Sequence, residues 1–484
     1  MNSRITSPTV CSLVSNDFLN NVLEIRSLGR GTYGSVYLVE KPDGQRYAIK
    51  YMNNYPEIDD LGVSQSALLD IDALLRLRNV RDVIDVIGVC YQTDGSNPNR
   101  IALILEAMDD DLRKFIDLTT VYDRLTLAPR LLQIMIRVAA LMETLNISHF
   151  DIKPQNILVR GSGTNAVFKV TDFGLAKATF GSNVVPRDEL FTLWYRPPEF
   201  LADRDRSTFR IFAGDIWAIA TTVIEFITGH PLFPGKSVWN MLQLIYRDFN
   251  PVVSQTQEQF NNANKFGIIT GQLSAMELIT RYISRPQAEQ LNSQIINMLS
   301  RMFSLNPNVR PSGIQLLDEF NERINPDFLS TLLPPSYPRR IQARGIDVIT
   351  RVCEAMRLSK ATTLITLEIF TRYLDTLTID LEHNSNIDAR ALGTVRIAAV
   401  FAENITYETY EVRDAYQVIC GLTCSPIDNL QIAEMEKEIL HKIDFQIYNL
   451  NLGPVIERAY SKNINIRGVN PTQFAEPLVR WLIE

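Results

Sequence analysis

Cysteine is scarce, with five residues in 484, so no disulfide framework holds this chain together. Cys420 and Cys424 are four apart, which puts them on one face of a helix. No second Cys or His pair completes a metal site, so both read as core residues. Basic charge is in deficit: 48 Lys and Arg stand against 55 Asp and Glu, a formal net charge of −7. That excludes a nucleic-acid surface over the whole chain, which would draw on a Lys/Arg excess. Long apolar runs are missing too. The longest, Ile216 to Ile227, is about half of what a bilayer requires and reads as a buried helix. The N-terminus has neither the basic start nor the apolar block of a signal peptide, and low-complexity tracts and short-period repeats are absent. The expectation is a soluble intracellular protein, cytoplasmic or nuclear, with no membrane or nucleic-acid partner.

What remains is an ordinary globular composition, 46% hydrophobic and 21% charged. The length exceeds one compact core and suggests about three folding units. Residues 1–20 are rich in Ser, Asn and Thr and read as a loose arm. From about 21 to 51, short β-branched and aromatic runs are broken by glycines and by Pro42-Asp43-Gly44, the pattern of strands joined by tight turns. Residues 61–78 switch to helical spacing, with Leu68, Ile71, Leu74 and Leu75 apolar. Residues 83–108 return to strand character, and beyond Leu112 the chain is mainly helical. The fold class is therefore α+β, a β-rich lobe (21–108) followed by an α-helical lobe (109–330). Three prolines in 331–340 predict an extended linker. Residues 341–450 read as a separate all-α domain, with a tail over 451–484.

Chemistry is concentrated in four ordered stretches. Gly29, Gly31 and Gly34, with Val36, form a GxGxxGxV loop between two strands, where backbone approaches phosphate oxygens without a Cβ in the way. Lys50, closing the run Tyr47-Ala48-Ile49-Lys50, brings an ammonium to the next strand. His149 to Asn156 reads HFDIKPQN, and Thr171-Asp172-Phe173-Gly174 follows. Phosphoryl transfer needs a carboxylate to orient the hydroxyl and accept its proton, and oxygen ligands for Mg²⁺ against the phosphates. Asp151 suits the first task, and Asn156 and Asp172 suit the second.

This set resembles the protein-kinase signature. Three further stretches are similar to the cyclin-dependent family: Glu106-Ala107-Met108 with Asp111 to Phe115, Thr192 to Glu199 (TLWYRPPE), and Gly62 to Asp70 (GVSQSALLD), like the PSTAIRE-type helix that a cyclin grips. The resemblance spans about residues 21–330. It implies a bilobal serine/threonine kinase using ATP and Mg²⁺, in which Asp151, Lys153, Lys50 and Asp70 are catalytic. Gly29, Gly31, Gly34, Val36, Ala48, Lys50, Leu105, Glu106, Met108 and Asp111 would bind ATP, and Asn156 and Asp172 the metal. Leu190, Thr192 and Arg196 match residues that select Pro after the target Ser or Thr, which implies Ser/Thr-Pro protein substrates. Thr32 and Tyr33 match an inhibitory phosphorylation pair. Glu199 is expected to pair with Arg310, and Asp215 and Trp217 to be scaffold.

Two departures stand out. The helix glutamate that positions the strand lysine is Asp70 here, shorter in reach by roughly 1.3–1.5 Å. Either the helix sits closer or the Lys50–Asp70 pair is long or water-bridged. Second, the phosphothreonine position falls on Arg187, and the three arginines that would hold it are Leu69, Phe150 and Lys177. Phosphate and cradle are lost together, which is self-consistent, since a cradle alone would bury unpaired cations. The expectation is a loop ordered without phosphorylation, with Leu69 and Phe150 packing, Asp188 or Glu189 pairing Lys177 or Arg187, and no preference for a basic residue three after the target. The competing reading from the same departures is a weakly active or inactive scaffold that titrates cell-cycle or transcription regulators.

In the helical domain, Ile365 to Leu374, Ala391 to Ala402 and Glu434 to Phe445 resemble successive helices of a cyclin box. This implies an activator fused to its kinase, an economy expected of a large DNA virus of eukaryotes acting in a host cell. Leu68, Leu69 and Glu436 are the expected kinase–cyclin interface. Fusion makes docking intramolecular, at an effective concentration of order millimolar. About ten linker residues span at most ~35 Å, so docking occurs within one chain or by exchange in a dimer, and the first is favoured. The family's substrate-docking patch would fall near Ile341 to Val348 and does not match. A helical domain that serves as an adaptor for some other partner is the third reading.

Overall fold

The computed structural model describes residues 18, 21–31, 34–52, 65–78, 80–92, 100–145, 147–178, 191–202, 212–247, 273–322, 343–376, 387–402, 408–420 and 427–443. The chain opens with a five-stranded antiparallel sheet in the order β1-β2-β3-β5-β4. Its strands are β1 (Leu23–Gly31), β2 (Gly34–Glu40), β3 (Arg46–Met52), β4 (Val86–Gln92) and β5 (Arg100–Glu106). The Pro42-Asp43-Gly44 segment closes the β2–β3 hairpin, with the Gly44 amide donating to the Lys41 carbonyl. Strand alternation places Ala48 and Lys50 on one face of β3 and Tyr47, Ile49 and Tyr51 on the other. The second face is covered by Phe18, which packs with Val39, Ile49, Cys90, Ala102 and Ile104. The Phe18 ring meets Tyr47 edge-on at 5.3 Å, and the Lys41 ammonium lies 4.1 Å from the Phe18 ring centre. At least this residue of the arm is docked.

Helix α1 (Gln65–Arg76) follows. Its apolar residues lie on more than one face, because Leu69 and Ala73 add to the stripe of Leu68, Ile71, Leu74 and Leu75. Apolar residues on more than one face call for cover on more than one face, and every residue from Ala67 to Leu77 is buried. Asp72 pairs with Arg76 one turn on, at 2.7 Å.

The helical lobe begins with β6 (Asp110–Asp111), α2 (Leu112–Leu118) and α3 (Val121–Thr144). Helix α3 is long and apolar enough to cross a membrane by composition, yet it is the lobe's central core helix. It starts in a capping box between Thr120 and Asp123 and carries a largely buried apolar surface. Short strands β7 (Ile147–Ser148), β8 (Ile157–Arg160), β9 (Val167–Val170) and β10 (Lys177–Ala178) come next. Two helices, α4 (Ala213–Thr228) and α5 (Gly313–Glu319), pack against α3. The apolar run Ile216 to Ile227 lies within α4, buried along its whole length. Glu199 and Arg310 form a fully buried bidentate pair, both bonds 2.6 Å.

Five helices are described in the C-terminal domain: α6 (Ala343–Ala355), α7 (Lys360–Asp375), α8 (Ile387–Ala402), α9 (Thr409–Cys420) and α10 (Asn429–Lys442). Helix α8 is the hub, packed by the other four and buried from Ile387 to Phe401. Two of its buried polar residues bond to neighbouring helices: Asp388 accepts from the Tyr416 hydroxyl at 2.7 Å, and Arg396 donates to Glu436 at 2.8 Å. Two compact units result where the length suggested three. The strand-rich lobe and the C-terminal domain form one, and residues 80–84 and 108–325 form the other. The reason lies in α8, which also packs against α1.

Candidate active site

The site is built around a carboxylate that never meets solvent. Asp215, in the first turn of α4, accepts hydrogen bonds from the Ser148 hydroxyl (2.7 Å), the His149 amide (2.7 Å) and the Phe150 amide (3.0 Å). Burial raises its pKa, and the His149 charge and these donors oppose the shift. The bonds hold the turn after β7 with Phe150 at φ 61°. His149 bridges onward, its Nε2 at 3.1 Å from the Thr171 carbonyl and its ring 4.6 Å from Phe173. Two separate stretches, HFD and TDFG, are thereby locked together.

Asp151 leaves this turn with both oxygens engaged. Oδ1 accepts from the Thr192 hydroxyl at 2.7 Å and the Thr192 amide at 3.2 Å. Oδ2 accepts from the Lys153 ammonium at 2.7 Å and from Asn156 Nδ2 at 3.1 Å. Lys153 also donates to the Thr192 hydroxyl at 2.9 Å. A carboxylate so surrounded is oriented as an acceptor, with a cation beside it to balance charge that develops on a transferred group.

Asn156 and Asp172 flank the open end of the β8–β9 hairpin, tied by the Thr171 amide to the Asn156 carbonyl at 3.0 Å. Asp172 takes φ 64°. Among the described residues no three His, Cys, Asp or Glu side chains converge on a metal position. Mg²⁺ does not ask for that, since one or two side-chain oxygens suffice when phosphates and waters supply the rest. Asn156 and Asp172 fit that donor set.

In the strand-rich lobe, Lys50 and Asp70 meet directly at 2.6 Å, both buried. The shorter side chain has not left the pair long or bridged. Gly29 pairs with Val36 and Gly31 with Gly34 across β1–β2. A Cβ on Gly34 would stand 2.3 Å from the Tyr51 carbonyl oxygen, so only glycine fits there. Ala48 pairs with Leu105, and the Glu106 carboxylate accepts from the Asp85 amide at 3.0 Å. In the helical lobe, Met108 is buried with its sulfur 3.1 Å from Arg160, and Asp111 caps α2 through the Lys114 amide at 3.0 Å. Leu68 and Leu69 are buried in α1. Glu436 is fully buried in the C-terminal domain against Arg396. Arg187, Leu190, Asp188, Glu189, Thr32 and Tyr33 lie outside the described residues.

Residues 23–320 match the family model of the protein kinase domain. The chain belongs to the protein kinase family. Residues 314–448 match the cyclin N-terminal domain, so a kinase domain is followed by a cyclin domain in one polypeptide. Mitogen-activated protein kinase 19 of Arabidopsis thaliana is 30% identical over 308 residues, 61% of this chain and 48% of that protein. Mitogen-activated protein kinase 18 of the same plant is 30% identical over 307 residues, 61% and 46% respectively. The chain thus spans about half the length of these curated relatives.

Within the kinase domain, the residue that sequence reasoning missed is Phe191. Its backbone is left-handed at φ 63°, and its carbonyl accepts from Arg196 Nε (3.3 Å) and from a terminal guanidinium nitrogen (3.0 Å). A bulky ring directly before Thr192, in a chain with Phe150 in its HFD turn, was the available signal.

Proposed function

We propose that this chain is an ATP- and Mg²⁺-dependent serine/threonine kinase of the cyclin-dependent type. Its targets are Ser/Thr-Pro sites in proteins of the cell interior, cytoplasmic or nuclear. Its own cyclin domain activates it in cis, without activation-loop phosphate. The observation that carries this reading is the packing of α8 on α1 in the presence of a direct Lys50–Asp70 contact. The activator domain covers the helix that carries Asp70, and Asp70 reaches its lysine.

The glycine loop would hold the phosphates of ATP, and Asn156 and Asp172 would hold Mg²⁺; when bound, these would supply the phosphoryl group and the charge that neutralises it. The protein's part is to orient. Asp151 takes the proton of the substrate hydroxyl, Lys153 steadies the charge beside it, and Lys50, aimed by Asp70, holds phosphate oxygens. Proline selection rests on Phe191: its carbonyl is turned away and occupied by Arg196, so the substrate amide after the target residue finds no acceptor there. Proline has no amide hydrogen to leave unsatisfied.

The test is phosphate transfer by phosphate-free protein from bacteria, with no added cyclin, on paired Ser-Pro and Ser-Ala peptides, with Asp151→Asn as control. Robust Ser-Pro labelling lost in the control supports the reading, and a monomeric mass in solution supports cis docking over domain exchange. No labelling by a protein that still binds nucleotide turns the choice to the scaffold.

A further inference from the structure

One aromatic ring from outside the N-terminal sheet joins four of its five strands. Phe18 precedes β1 and is 8% exposed. The buried cluster that it completes draws Val39 from β2, Ile49 from β3, Cys90 from β4, and Ala102 and Ile104 from β5. Two further contacts fix the ring. Tyr47 of β3 meets it edge-on at 5.3 Å, and the Lys41 ammonium lies 4.1 Å from its centre. Lys41 belongs to the β2–β3 turn, where its amide donates to the Gln45 carbonyl at 2.9 Å. A ring held between an aromatic edge and a cation gains from both geometries. The Asn21 amide donates to the Phe18 carbonyl at 3.4 Å and ties this residue to the chain just before β1.

The apolar face of a sheet needs cover, and here Phe18 contributes it. The consequence reaches the other face through β3. Ile49, fully buried in the cluster, alternates with Ala48 and Lys50, whose side chains stand on the opposite face. Strand β3 is paired on both edges, with β2 and with β5. Its lie is therefore set by the same strands that the ring joins. Any shift of β3 moves Lys50, and with it the 2.6 Å contact to Asp70.

We propose that Phe18 is a positioning residue for nucleotide: packed across one face of the sheet, it holds β3 so that Ala48 and Lys50 meet ATP on the other. It acts through Ile49 and Tyr47. The inference rests on the nucleotide site of the reading above and on no other part of it.

Cys90 reports on the cover. It is 1% exposed within the same cluster, and burial pushes its thiol up to about 11, so it alkylates slowly while the ring is in place. Cys353, equally buried in α6, is the internal control.

The experiment uses the full chain as wild type, Phe18→Ala, Phe18→Leu and Lys41→Ala. Well below the melting temperature, three quantities are measured: alkylation of Cys90 and Cys353 by iodoacetamide, hydrogen exchange at the Ile49 and Lys50 amides, and the Kd for ADP with Mg²⁺. Phe18→Ala is expected to speed Cys90 alkylation and β3 exchange by about tenfold or more, with Cys353 unchanged. Nucleotide binding is expected to weaken by roughly threefold or more. Phe18→Leu keeps apolar bulk and is expected to regain at least half of each loss. Lys41→Ala is expected to speed Cys90 alkylation roughly two- to fivefold, the size of an exposed cation–π contact. A ring that only stabilised the fold would lower the melting temperature and uncover Cys90 while nucleotide bound as tightly as before; that result overturns the proposal. Unchanged Cys90 alkylation in Phe18→Ala overturns it too, since the ring would then cover nothing. If Phe18→Ala does not fold, Phe18→Leu and Lys41→Ala decide, and wild-type Cys90 reactivity and nucleotide Kd in both overturn it. If wild type itself binds no nucleotide, the proposed function fails. The ring is then judged on β3 exchange alone, and unchanged protection overturns its role.

Discussion

The Lys50 ammonium and the Asp70 carboxylate meet at 2.6 Å across twenty residues of sequence, both buried. Removing one member of a buried pair costs about 3–5 kcal/mol, because the other is left uncompensated. Asp70→Asn is therefore expected to lower kcat/KM for ATP by at least roughly tenfold. Asp70→Glu restores the residue that the family resemblance leads one to expect, yet the added methylene has no gap to fill. It is expected to lower the melting temperature without raising activity, since overpacking costs about 1–3 kcal/mol. A faster Asp70→Glu enzyme would show that the native contact is too short-armed.

Asp151 is gripped by Thr192, Lys153 and Asn156 at once. Asp151→Asn keeps the shape and the acceptor that faces Thr192, loses the two bonds that Lys153 and Asn156 donate to Oδ2, and removes the proton acceptor. Phosphate transfer should fall by about 10²–10⁴-fold, while nucleotide-induced thermal stabilisation stays. Loss of both together would assign Asp151 a binding role.

Leu69 lies in α1 with 4% of its surface exposed. The resemblance places an arginine there, with a phosphate to meet it. Leu69→Arg buries a cation in an apolar site and is expected to lower the melting temperature by more than about 5 °C, with kinase activity falling in parallel. Unchanged melting would mean that the guanidinium finds an acid or water close by.

Arg137, on α3, joins carboxylates far apart in the chain. It bonds Asp82, and it reaches Glu322 through Nε at 2.8 Å and a terminal nitrogen at 2.9 Å. Its hydrogen bonds, ahead of other influences, hold the Glu322 carboxyl below its usual range. A folded pKa below the unfolded one stabilises fully above the unfolded value, about 4.3 for glutamate. The benefit is lost as pH falls through the lower folded value. The melting-temperature gap between wild type and Glu322→Gln should therefore be widest near neutrality and close below about pH 4. A gap constant with pH would assign the effect to packing.

The kinase chemistry was legible because its motifs are local: HFDIKPQN and TDFG each carry function within eight residues, and their order fixes their meaning. The alternation in β3 was equally readable. What the sequence concealed are partnerships across distance. Nothing near Phe191 names Phe200 or Gly214, nothing near Arg137 names Glu322, and Arg396 meets Glu436 only once α8 and α10 pack. Phe18 looked like part of a polar arm because most of its neighbours in sequence are polar, whereas its neighbours in space are Tyr47 and the ammonium of Lys41. Asp70 was the hardest case: a missing methylene predicts a longer gap only if the backbone stays still.

Helix α1 is covered from Ala67 to Leu77, and one of its covers comes from the same polypeptide. Among its described residues that helix leaves no flank open, so under the cis reading proposed above a free cyclin would compete against a tethered rival that dilution cannot remove. On that reading the pairing would be monogamous by construction of the chain, and its occupancy would follow neither the synthesis nor the destruction of a separate subunit.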